Sequence, residues 1–113
     1  MAESLAARQC VACEGGVPPL TPEETSVLLL QVPGWTVIDG KKLTKTYTFS
    51  DFAKALAFVN RAGAVAEAEG HHPDLLLSWG RVVAEVWTHA IGGLSENDFI
   101  LAAKLDEAWP APR

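Results

Sequence analysis

An α+β fold, with a four-stranded antiparallel sheet and helices packed on one side, is predicted by three observations in this 113-residue chain. Helix-period and strand-period segments alternate in the order α-β-β-α-β-β-α, and the links between them are short. Turn-forming residues, Asp39-Gly40 and Gly80, fall between successive strands, where a parallel sheet would need long crossovers. The length is near the commonest for one hydrophobic core, and 49% apolar with 20% charged residues is ordinary for a globular domain.

Residues 1–20 read as an arm rather than core, because Gly15, Gly16, Pro18 and Pro19 interrupt regular structure. The domain proper is then 21–113. Thr21-Pro22-Glu23-Glu24 starts a short helix, with Thr21 as N-cap, Pro22 as the first helical residue and Glu24 as the capping-box partner. That helix should stop before Pro33-Gly34. Trp35 to Ile38 alternates as a strand, Asp39-Gly40 is a hairpin turn, and Lys41 to Phe49 returns. Leu43, Lys45, Tyr47 and Phe49 share one face of that strand, and Thr44, Thr46 and Thr48 share the other. Ser50 is placed to cap the longest helix, Asp51 to about Glu69, with Phe52, Leu56, Val59, Gly63 and Ala66 as its apolar stripe. Gly70 supplies the stop, with Pro73 just beyond. Leu75–Leu77 and Val82–Thr88 read as two strands joined around Gly80. Gly92-Gly93 breaks the chain, and Ser95-Glu96-Asn97-Asp98 starts a last helix that ends before Pro110. Asp98 reads as the capping-box acid for Ser95. Trp35, Trp79 and Trp87 fall on strands and read as core aromatics rather than ligand platforms.

The net charge of −5 argues against a direct nucleic-acid partner, whose footprint is clustered Lys and Arg. No apolar run approaches the roughly 20 residues needed to cross a bilayer. The first residues hold Glu3, Arg8 and Glu14 with no apolar stretch that would mark an export signal. With two cysteines only, a reducing, cytoplasmic setting is expected. Cys10-x-x-Cys13 is a redox or half-zinc spacing, but two thiolates do not close a tetrahedral site, and ordinary free thiols are expected.

All three histidines of the chain lie in its second half. His71 and His72 sit just past a helix end, on a connection where side chains project from a rigid frame. His89 ends the following hairpin. An antiparallel hairpin sets its two outer ends side by side, so the three imidazoles are expected at one end of the sheet. Grouped there, they would form a proton-transfer cluster. The bland description fits too: a histidine pair as a polar helix cap, and a strand-end histidine in water. Zinc is a further option, yet only Glu67 or Asp74 is near enough in sequence to complete a site, and the helical i, i+4 ligand spacing is missing.

Taken in order, Glu67, His71-His72-Pro73, Trp79, His89 and Asp98 resemble the signature of the pterin-4a-carbinolamine dehydratase family. The stretch THAIGGLSENDFILAAKLDE resembles that family's Thr-His segment, and Pro33-Gly34-Trp35 with its hairpin resembles its earlier part. The likeness covers roughly residues 18–108. It implies the α+β fold, a homodimer or homotetramer built from extended sheets or bundled helices, and dehydration of 4a-hydroxytetrahydropterin to quinonoid dihydropterin. That step completes pterin recycling after aromatic amino-acid hydroxylation, so such a hydroxylase is an implied partner. The chemistry calls for no metal, nucleotide or other cofactor. His71 and His89 are the implied acid–base pair, and His72 orients and polarises the pterin. Glu67, Pro73, Thr88, Ala90 and Ile91 join the histidines as the implied binding set, with Glu67 spaced one turn before His71 to hold its ring. Two departures stand out: Leu75 where the family often has an aromatic, and Gly70 where a polar residue is common. Relatives of this family also serve as a transcription-factor dimerisation cofactor or as assembly factors. A pure binding module of that kind has no chemical need for all three histidines.

Overall fold

The computed structural model describes residues 4–11 and 18–109. Helix α1 spans Pro22–Leu29, and its capping box is formed as expected: Thr21 Oγ1 accepts from Glu24 N–H, and Glu24 Oε1 accepts from Thr21 N–H. Strands β1 (Thr36–Ile38) and β2 (Lys42–Thr48) make the first hairpin. Asp39 and Gly40 both have positive φ, 54° and 67°, as a primed hairpin turn demands. Helix α2 spans Phe52–Glu69. Strands β3 (Asp74–Ser78) and β4 (Arg81–Val86) form the second hairpin, and α3 (Glu96–Ala108) closes the domain. The sheet is antiparallel throughout, in the order β1-β2-β4-β3, so the second hairpin lies beside the first through β2 and β4.

Strand periodicity selects the buried face. Leu43 and Tyr47 on β2 and Val82, Ala84 and Val86 on β4 point into one core with Ala55, Phe58 and Ala62 of α2 and Phe99, Ala102 and Leu105 of α3. Lys45 shares that face because Asp106 answers it. The Asp106 carboxylate accepts from Lys45 Nζ at 2.8 Å, Tyr47 Oη at 2.6 Å and Trp35 Nε1 at 3.2 Å. Burial, then the Asp106 contact, pushes the Tyr47 hydroxyl far above its ordinary value, so it stays a donor.

Several expectations need correction. The inward stripe of α2 is Ala55, Phe58, Ala62 and Ala66, whereas Phe52 and Leu56 are exposed. Alanines predominate on the buried face because small side chains let the helix approach its neighbours closely, which leaves Phe52 and Leu56 outside. The N-cap of α2 is Asp51, which accepts from Lys54 N–H at 2.8 Å, rather than Ser50. Trp79 is 68% exposed instead of core, because it sits in the tight turn between β3 and β4. Trp35 is buried as expected. Leu5, expected outside the core, is 2% exposed and packs within it. Residues 4–11 lie along α3, tied by Lys104 Nζ to the Ala6 carbonyl at 2.9 Å and by the Arg8–Glu96 ion pair. Cys13 falls outside the described residues. The Cys10 thiol is free and donates to the Asn97 carbonyl. Burial first, then the Glu69 carboxylate, pushes this thiol up to about 12. It is therefore held as the thiol, which is neither the nucleophile nor the metal-binding form.

Candidate active site

The second hairpin and the two helix ends flanking it build one site. Helix α2 stops at Gly70, whose left-handed backbone (φ 65°) turns the chain out of the helix and delivers His71. Strand pairing ends at Asp74 opposite Glu85, so the entry to β3 and the exit of β4 lie together, as the hairpin argument requires. Past β4, Thr88 bridges to Gly93, and His89–Ile91 form a single 3-10 turn between them.

An open cavity of about 490 Å³ forms at this end of the sheet. His71, His72 and His89 all line it, with Pro73, Thr88 and Ala90. Glu67 and Ile91 do not line it. Each imidazole is held differently. His71 is 13% exposed, and its Nε2 lies 2.6 Å from Oδ1 of Asp98, which is wholly buried. The other oxygen, Oδ2, accepts from Thr88 Oγ1 at 2.9 Å and from Ser95 N–H at 2.8 Å. Against an ionised carboxylate, which only accepts, Nε2 is the donor, and a neutral ring then leaves Nδ1 as the nitrogen without a hydrogen. His72 Nε2 meets Glu67 Oε2 at 2.5 Å, with both side chains well exposed to water. His89 is exposed and lies flat on Trp87, with ring centroids 4.2 Å apart and planes 8° from parallel. Lys42 Nζ also sits over that indole, at 4.2 Å.

Three readings are therefore changed or extended. Glu67 holds His72, not His71, because the i, i+4 relation fails once Gly70 has left the helix. Asp98 is the capping-box acid as read, yet it is also the partner of His71, a contact that local pattern cannot reveal across 27 residues. Trp87, read as core, lines the cavity and supports His89. Val11 and Glu69 line it as well, and no sequence signal marked either. Among the described residues, no group of three or more His, Cys, Asp or Glu converges as a metal site.

A small α+β domain here gathers three imidazoles around one cavity at an end of the sheet, one of them anchored on a buried carboxylate. The chain belongs to the pterin 4 alpha carbinolamine dehydratase family, whose model matches residues 18–108. Two bacterial relatives are provisionally named pterin-4-alpha-carbinolamine dehydratase. The one from Methylococcus capsulatus is 52% identical, covering 92% of this chain and 92% of its own. The one from Rubrobacter xylanophilus is 51% identical, covering 90% and 95%. A crystal structure described as a transcriptional coactivator/pterin dehydratase from Brucella melitensis is similar, with TM-score 0.77, 31% identity, and coverage of 81% of this chain and 99% of that one. A pterin dehydratase-like protein identified as a RuBisCO assembly factor shares the fold, with TM-score 0.60, 21% identity, and coverage of 70% and 93%.

Proposed function

We propose that this protein dehydrates 4a-hydroxytetrahydropterin to quinonoid dihydropterin by histidine acid–base catalysis. The observation that carries this reading is the His71–Asp98 contact beside a cavity that His72 and His89 also line. The reaction removes the proton on ring N5, forms the N5–C4a double bond and expels the 4a-hydroxyl, which takes a proton and leaves as water. One group must accept a proton and another must give one, and histidine does both near neutrality. His71, its ring fixed by Asp98, and His89, its ring fixed on Trp87, are the pair that performs these transfers. His72 orients and polarises the pterin, and the backbone at Thr88 and Ala90 completes its seat. Residues 21–113 carry every one of these groups.

In a cytoplasmic setting the reaction returns the pterin to use after an aromatic amino-acid hydroxylase has oxidised it. A dimer or tetramer is the proposed assembly. The test is a dehydration assay on 4a-hydroxytetrahydropterin with and without the protein, corrected for the slow unaided reaction. A rate no faster than that background would reject the reading in favour of a binding or assembly role. Presence of all three histidines supports the catalytic choice.

A further inference from the structure

The N-terminal segment passes the two elements that hold His71. Cys10 N–H donates to Glu69 Oε1 at 2.8 Å, at the end of α2. Val11 is gripped at both backbone groups by the side chain of Asn97, on the first turn of α3. Its N–H donates to Oδ1 at 3.0 Å, and Asn97 Nδ2 donates to its carbonyl at 2.5 Å. Asn97 is 6% exposed and immediately precedes Asp98. A two-point amide clasp from a buried side chain fixes both the place and the orientation of one residue. The residue so fixed, an aliphatic one that is 72% exposed, is among those that line the histidine cavity, and it also borders a second hollow beside Arg8 and Glu96.

We infer that Val11 contacts the bound substrate, packing on an apolar edge of the pterin, and that Asn97 is its positioning residue. This rests on the dehydratase reading and adds to it a wall that lies outside residues 18–108, the part the family model matches. The clasp explains why an exposed backbone segment is held by a buried amide: the same helix end orients His71 through Asp98 and the wall through Asn97. Substrate and proton acceptor are thereby placed by neighbouring residues of one rigid element.

The test compares wild type, Val11→Ala, Asn97→Ala and the double variant, with dihydrobiopterin as the binding probe and the dehydration assay for turnover. Val11 is already exposed, so the melting temperature of Val11→Ala should stay close to wild type, and circular dichroism checks that Asn97→Ala, a change at a buried side chain, is folded. Each single change is expected to raise Kd and KM about fivefold while kcat stays within about twofold, as loss of a contact made equally in ground and transition states requires. The double variant should be no weaker than the weaker single, because both act through one contact. Val11→Ile should bind the probe like wild type. Wild-type Kd and KM in either single, or additive losses in the double, would overturn the inference while leaving the dehydratase reading in place. A wild-type protein that neither binds dihydrobiopterin nor speeds dehydration would remove that reading, and this inference with it.

Discussion

His71 and His89 are restrained by different forces, and their substitution should tell them apart from His72. General acid–base groups contribute about 10²–10⁴-fold in rate. Replacing His71 or His89 with Ala is therefore expected to lower kcat strongly while the pterin still binds, and His72→Ala to act mainly on KM. Unchanged kcat in His89→Ala would take that residue out of the chemistry. Asp98→Asn is a sharper probe, because the amide oxygen still accepts from Ser95 and Thr88 and the helix cap survives. The new NH₂ then faces His71 Nε2, which must accept, so the ring hydrogen moves to Nδ1 and the free nitrogen is lost. A fall in kcat of about 10²–10⁴-fold with an unaltered circular dichroism spectrum is the expected result. Near-normal turnover would show that the Asp98 contact is structural only. At this scale the histidines were legible, since hairpin geometry alone brings His71, His72 and His89 to one end. Their partners were not. Glu67 was matched to His71 by helical spacing that ceases to apply beyond Gly70, and the Asp98 contact depends on how α3 docks.

Among the elements, α2 shows how a terminus shapes the site. Gly70 has φ 65°, and a Cβ built there meets nothing within 4 Å. Gly70→Ala thus costs backbone strain without a clash, about 1 kcal/mol. The denaturant midpoint should drop accordingly, and kcat should drop with it because His71 is the next residue. A midpoint unchanged from wild type would mean the turn tolerates a side chain freely. The same helix marks where pattern reading stops working. Its existence, its Gly stop and its length were plain in the spacing, but its buried stripe was not. Ala66 is buried as expected, but Ala55 and Ala62 are buried where larger residues were expected, because closeness of approach, rather than side-chain size, decides the contact. Trp79 was misjudged for a related reason: a two-residue turn leaves its side chains outside whatever their hydrophobicity.

At the scale of the whole molecule, the sheet has an open edge among the described residues. β3 is terminal in the sheet order, and Leu76 on it and Trp79 beside it are exposed, as are Phe52 and Leu56 of α2. Open edges carrying apolar side chains invite pairing with another chain. Light scattering is expected to show a dimer or tetramer. Leu76→Lys combined with Trp79→Ser should shift it toward monomer, since neither residue lines the histidine cavity. A wild-type monomer at micromolar concentration would refute the assembly. The elements and their order were readable because each hairpin carries its own turn signal. The packing of residues 4–11 was not, because Leu5 docks on α3, nearly the whole chain away.

Asp98 closes the first turn of α3 with one oxygen and grips His71 with the other. One carboxylate thus ties the start of the final helix to the orientation of the imidazole. A nascent chain whose last segment is still emerging has no oriented ring, whatever the state of its sheet. In refolding, recovered helicity and recovered turnover are expected to share one rate constant, and turnover that lags well behind helicity would show the two to be separable.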